Sequence, residues 1–238
     1  MDRNGDRVKG TRGSRRVYDS SRRREQARRT RERVLDVALA RFLSDGFAAT
    51  TITSIAADAD TSPDTIYKSF GGKAGLIRAL CERGLQGQGS VPAEERSDHL
   101  QETEPDPRRL MHGLGRLASE VAPRTGPLML LLSAAGNTDP ELATLRQELD
   151  DLRLTRMTAN ARRLHQRGLL RPGMSVDEAA EICWLYSSAE VYGRLVLDRG
   201  WSLEKYARFV GDALAAALLP DQVEPGGPDN SAPPPETS

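Results

Sequence analysis

Arginine is the residue type best placed to do chemistry in this chain of 238 residues. Positions 1–34 hold thirteen basic side chains against five acidic ones, in a chain whose formal charge is zero, so the remainder carries an acidic excess of eight. Such a separation draws a polyanion to one end and repels it from the other, which fits nucleic acid; a solvated basic tail is the plainer alternative. Catalysis has little to build on. His99, His112 and His165 are scattered, no Cys/His spacing suits zinc, and no glycine-rich phosphate loop follows a strand. No catalytic residue, metal or cofactor is therefore expected. Cys81 and Cys183 lie in apolar helical contexts and read as small buried hydrophobes. The chain has no run of eighteen apolar residues, and its start is arginine-rich rather than signal-like, so a cytoplasmic protein without a membrane span is expected.

The stretch able to present side chains to DNA is 50–70. Thr51 is a good N-cap, because its hydroxyl can accept from an unpaired amide at the start of a helix. Ile52, Ile55, Ala56 and Ala59 then form one buried face. Asp60-Thr61 makes the turn, and Ser62-Pro63 restarts a helix with a capping hydroxyl and a proline where no amide hydrogen is needed. Ile66 and Phe70, one turn apart, face inward, which leaves Pro63, Asp64, Thr65, Tyr67 and Lys68 to point outward.

The flanking elements complete an all-α fold. A helix from about 22 carries Val34, Leu35, Ala38, Leu39, Phe42 and Leu43 on one stripe and stops at Gly46; Gly71-Gly72 breaks the chain before a helix starting at Lys73. The resulting division is a disordered basic arm at 1–21, a helix-turn-helix domain at 22–85, a polar linker at 86–106, a helical domain at 107–219 and a disordered proline-rich tail at 220–238. Helices are expected at about 107–122, 126–135, 139–167, 175–198 and 202–219. The long one carries Leu142, Leu145, Leu149, Leu152, Met157, Ala161 and Leu164 in one stripe.

The run from Thr30-Arg31-Glu32-Arg33-Val34-Leu35 through Asp45-Gly46-Phe47-Ala48-Ala49-Thr50-Thr51, Ile55-Ala56, Thr65-Ile66-Tyr67, Phe70, Lys73 and Leu76-Ile77 resembles the TetR family of bacterial one-component regulators. Asp60-Thr61 stands where the family turn usually has glycine then valine; aspartate tolerates the left-handed conformation and threonine has the shape of valine. The resemblance implies a homodimer on operator DNA and a ligand pocket in the C-terminal domain. It also makes 62–68 the recognition helix in the major groove. Ser62, Pro63, Asp64, Thr65, Tyr67 and Lys68 are then the reading residues, Thr51 and Thr53 backbone contacts, and Lys73 a phosphate-contacting lysine. Asp64 could accept from a cytosine amino group, Tyr67 could instead be a packed aromatic and Lys73 a solvated cation. Arg28 and Arg31 extend the basic contact.

For self-association the expectation rests on Ile182, Leu185, Ala189, Tyr192, Val196, Leu203, Tyr206, Phe209, Val210, Ala213, Leu214 and Ala217, more apolar surface than one face needs; the alternative is that they complete a monomeric core. Effector contacts are expected among Met111, Leu114, Leu117, Val121, Met129, Leu132, Met157 and Trp184, with Asn160 and His165 adding polarity. These expectations describe a ligand-released repressor. The competing readings are a DNA-binding architectural protein without an effector and a small helical enzyme.

Overall fold

The computed structural model describes residues 12–87 and 91–221, with 12–20 as backbone alone, and every regular element among them is helical. The helices are α1 Arg12–Ser44, α2 Gly46–Ala49, α3 Ile52–Asp58, α4 Pro63–Phe70, α5 Lys73–Gln86, α6 Ala93–Thr103, α7 Pro107–Ala135, α8 Pro140–Gln166, α9 Val176–Tyr186, α10 Ala189–Tyr192 with a π-helical turn Gly193–Leu197, and α11 Leu203–Leu218. Two compact units divide them: the chain to Gly84 together with Pro127–Gln147, and Leu85–Gly126 together with the chain from Glu148.

In the N-terminal unit the buried stripe of α1 is Val34, Leu35, Ala38 and Phe42; Ile55 and Ala56 of α3, Ile66 of α4, and Leu76, Ile77 and Leu80 of α5 are buried with it. Leu43, expected on that stripe, is 50% exposed. α1 also starts at Arg12, ten residues ahead of the expected Arg22. Its early turns lack an apolar face but are rich in arginine, a good helix former, and Glu25 accepts from both Arg28 and Arg29 at 2.9 Å. Residues 1–11, the rest of the expected disordered arm, and 222–238 of the tail lie outside the described residues.

The C-terminal unit departs from expectation in three places. Residues 93–103, read as linker, form α6, which docks on α8 through polar groups: Gln101 Nε2 donates to Asn160 Oδ1 at 3.0 Å, and Asp98 accepts from Arg156 and Arg163. A helix held by its polar side leaves no apolar periodicity to read. The break expected at 123–125 is absent, and α7 continues through Pro123 and Pro127. Proline removes an amide and crowds the preceding turn, yet buried Ala122 and Gly126, where a Cβ would meet the Tyr192 ring at 2.8 Å, hold the helix in place. Finally, 175–198 is interrupted at Ser187–Ser188: buried Ser188 accepts from Val191 N at 3.3 Å and caps a new helix, and the π turn follows. The core of this unit includes Met111, Leu164, Cys183, Tyr192, Tyr206, Val210, Leu214 and Leu218. Both cysteines are free and buried, and burial pushes each thiol up to about 12. The expected stripe of α8 fails at Leu152, which is 61% exposed. Leu142 and Leu145 are buried in one unit and Ala161 and Leu164 in the other, so no single face runs the length of the helix.

Candidate nucleic-acid interface

Local hydrogen bonds set the two short helices of the interface. Ser54 N donates to Thr51 Oγ1 at 3.0 Å, and Thr51 N donates to Ser54 Oγ at 3.3 Å, a reciprocal cap on α3. The turn passes through Asp60 at φ +49°, and Thr61 N donates to Ala56 O at 3.0 Å. Aspartate takes this left-handed conformation more readily than a β-branched residue does. On α4, Thr65 N donates to Ser62 Oγ at 3.2 Å, and the Ser62 and Thr65 hydroxyls share a hydrogen bond of 2.9 Å, with Pro63 at the first helical position. Gly71 ends the helix at φ +78°, its N–H donating to Tyr67 O at 2.8 Å.

Fully buried Ile66 anchors α4, and Ser62, Pro63, Asp64, Tyr67 and Lys68 are exposed on its outer side. Tyr67 is 56% exposed, so it is not a packed aromatic. Thr51 and Thr53 are exposed beside it on α3, and Thr65 is half-buried. Arg31 stacks over the Phe70 ring, with Cζ 4.4 Å from its centroid, at the end of α4. Arg28 is exposed but paired with Glu25.

Lys73 is placed differently from the phosphate contact expected of it. Its Nζ donates to Phe47 O at 2.7 Å and to Thr50 O at 2.9 Å, and lies 4.0 Å from the centre of the Phe47 ring. The ammonium therefore satisfies carbonyls left open where α2 ends and α3 begins, and burial pulls its pKa below the ordinary lysine value. Two of its three N–H donors are thus engaged, so it is not a freely solvated cation. Sequence reasoning missed Gly75, in the first turn of α5. A Cβ there would collide with the Phe70 carbonyl, whose carbon is 2.8 Å away, so only glycine lets α5 pack against the end of α4.

Residues 34–80 match the family model described as bacterial regulatory proteins, tetR family. Residues 34–80 are thus similar to the N-terminal domain of that family. A curated relative, the uncharacterized HTH-type transcriptional regulator YvkB of Bacillus subtilis (strain 168), is 35% identical over 71 residues, 30% of this chain. The match spans 38% of that relative's length. Among solved structures, the SmeT–triclosan complex is similar with a TM-score of 0.62 at 24% identity, over 87% of this chain and 99% of that one. NalD of Pseudomonas aeruginosa, the secondary repressor of the MexAB-OprM multidrug efflux pump, gives 0.63 at 19% identity, over 82% and 98%. A putative regulator from Saccharomonospora viridis in complex with choline gives 0.58 at 20% identity, over 79% and 97%. At these identities the structures establish a shared all-α fold. The TetR-type domain is thus a helix-turn-helix DNA-binding domain.

The residues expected at an effector site are divided between the two units. Met129 and Leu132 belong to the N-terminal unit and the other eight to the C-terminal unit. Met111 is fully buried in the core, while Leu114, Leu117, Val121 and Met157 are half-buried. Asn160 is engaged by Gln101, and His165 is exposed. One face of the Trp184 ring is covered by Arg153, whose Cζ is 4.7 Å from the centroid, and its indole Nε1 donates to Asp150 Oδ1 at 3.1 Å. The expected self-association face is corrected likewise. Tyr192, Tyr206, Val210 and Leu214 are closed inside the protomer and cannot meet a partner. Ala189, Val196, Phe209, Ala213 and Ala217 are half-buried, and Leu185 is 50% exposed. Leu203, expected on this face, is exposed, as is Leu197, which sequence reasoning did not single out.

Proposed function

We propose that this protein is a transcriptional repressor that binds a palindromic operator as a homodimer and leaves it when a small-molecule effector binds the C-terminal unit. One observation carries the reading: α4 is capped at both ends, anchored by fully buried Ile66, and free to offer Pro63, Asp64, Tyr67 and Lys68 to a major groove. Ser62, Thr65, Thr51, Thr53, Arg28 and Arg31 surround that row as backbone contacts. Dimerisation follows from the geometry of DNA, since two such helices must enter successive major grooves about 34–36 Å apart. Exposed Leu185, together with the half-buried face of Val196, Phe209 and Ala213, supplies the apolar surface for it. Complexes of similar proteins with triclosan and with choline support an effector in the C-terminal unit. Promoter DNA as target makes the bacterial cytoplasm its place of work.

Selection of bound sites from random duplexes, followed by footprinting and a compound screen for release, tests this. A two-fold symmetric footprint, filled by two chains and abolished by a compound, is the expected result. Binding blind to sequence favours an architectural role and overturns the repressor reading. Asp64→Asn should relax selectivity at a cytosine-containing position while leaving the rest of the site unchanged.

A further inference from the structure

The stripe of α1 that buries Leu35, Ala38 and Phe42 does not stop where the core of the N-terminal unit stops. It continues back along the helix as Arg31, Arg28 and Arg24, in steps of four, three and four residues that keep the same face. α1 leaves the domain beside α4: the Arg31 guanidinium stacks over the Phe70 ring, with Cζ 4.4 Å from its centroid, and Arg33 Nη2 donates to Asp60 O at 3.4 Å in the turn ahead of α4. Arg28 and Arg24 therefore stand one and two turns past α4, outside the length of groove that α4 could fill. From Ser21 to Arg33 no side chain is buried. This segment holds seven arginines and two glutamates, an excess of five positive charges, along a helical rod about 20 Å long. Arg24 is exposed, and Glu25 takes two of the five N–H donors of Arg28, whose side chain is 68% exposed. An arginine face cannot be covered by apolar protein, because a buried guanidinium without acceptors loses its hydration for nothing. A row of anions suits it, and a DNA strand supplies a phosphate about every 3.4 Å, roughly six along the rod. We propose that α1 from Ser21 to Arg33 is a second DNA-contacting element, with Arg24 and Arg28 on the phosphates of duplex flanking the base pairs read by α4. It lengthens the site without adding to its sequence, and it depends on operator binding through α4 as proposed above.

Binding of the full chain across a range of salt concentrations to two duplexes tests it: the selected operator with long flanks, and the same operator trimmed to its sequence-selected base pairs. The flanked duplex should show the steeper slope of log K against log salt. Arg24→Gln combined with Arg28→Gln should lower that slope by about 1.8 for each bound chain, two phosphates at about 0.9 each, and leave the trimmed duplex unaffected. Arg28→Gln and Arg29→Gln form a matched pair, since both arginines are exposed and both bond to Glu25, whereas Arg29 stands about 100° round the helix and off the stripe. Only Arg28→Gln should lower the slope, and circular dichroism should be the same for every variant, glutamine being a good helix former. Equal losses for the two would overturn the second element, because charge alone and not its face would then count. So would a double variant that matches the parent on the flanked duplex, or one that keeps the slope and loses binding to anionic vesicles instead. Selective binding of the trimmed duplex with no gain from the flanks would overturn this element and leave the role of α4 intact; a parent chain that selects no operator would overturn both.

Discussion

The two units of this protein are held together by different means. In the N-terminal unit a small apolar core from α1, α3, α4 and α5 lies under helices whose ends are satisfied by their nearest neighbours, Thr51 with Ser54 and Ser62 with Thr65. In the C-terminal unit long-range polar clasps add to the core: Gln101 to Asn160, Asp98 to Arg156 and Arg163, and Arg153 to Trp184. The difference teaches where each unit is fragile. A surface prepared by local caps keeps its shape when distant residues change, whereas polar pairing between far positions is lost when either partner goes, and leaves the other buried without a partner.

Gly75→Ala should give the largest effect and bound the robustness of the N-terminal unit. The added methyl meets the Phe70 carbonyl, so α4 or α5 must move; a loss of about 3 kcal/mol or more by thermal unfolding, with DNA affinity abolished, is expected. Unchanged stability would mean that α5 does not press on α4. Lys73→Met separates holding from contacting: removal of the ammonium should cost about 1–2 kcal/mol in stability and leave the salt dependence of DNA binding unaltered. Lys68→Ala should do the reverse, reducing the slope of log K against log salt by about 0.9 if it meets one phosphate. Ser62→Ala should cost about 1 kcal/mol, the usual worth of such a cap, and a change below a few tenths would show that the Thr65 hydroxyl substitutes for it.

The smallest effect expected is a pH response of α6. Hydrogen bonds from Arg156 and Arg163 hold the Asp98 carboxyl below its ordinary value of 3.8. A depressed carboxyl contributes stability at pH above its ordinary value and loses it as pH falls through its value in the folded protein. Protection of the α6 amides, taken relative to the intrinsic exchange rate at each pH, should therefore fall below about pH 4 and much less so in Asp98→Asn, whose protection should already be lower at neutral pH; equal acid responses would show that this clasp contributes nothing measurable. Because Asp98 and Arg163 are about one-third exposed, added salt should weaken the contribution.

How much was legible follows the same division. Residues 50–70 could be read closely: both caps, the left-handed Asp60 and the inward Ile66 each depend on residues within a few positions. Gly75 gave no sign, because its need is the Phe70 carbonyl across the helix break at Gly71-Gly72, a backbone group that no side-chain pattern marks. Lys73 has the same composition whether its ammonium meets phosphate or two carbonyls 23 and 26 positions away. α6 was taken for a linker because a helix docked through Ser97, Asp98 and Gln101 shows a solvent-like composition.

By itself, then, the sequence determined the helical nature of the chain, the caps and turn of the DNA-facing helices, and which of their side chains point outward, since these arise from hydrogen bonds and apolar spacing over one or two turns. Only the tertiary structure decided which apolar residues of α9 to α11 remain on the surface, enclosing Tyr192, Tyr206, Val210 and Leu214 while leaving Leu185, Leu197 and Leu203 outside. Periodicity says that a face is apolar, but a partner surface drawn from distant positions chooses whether that face is covered.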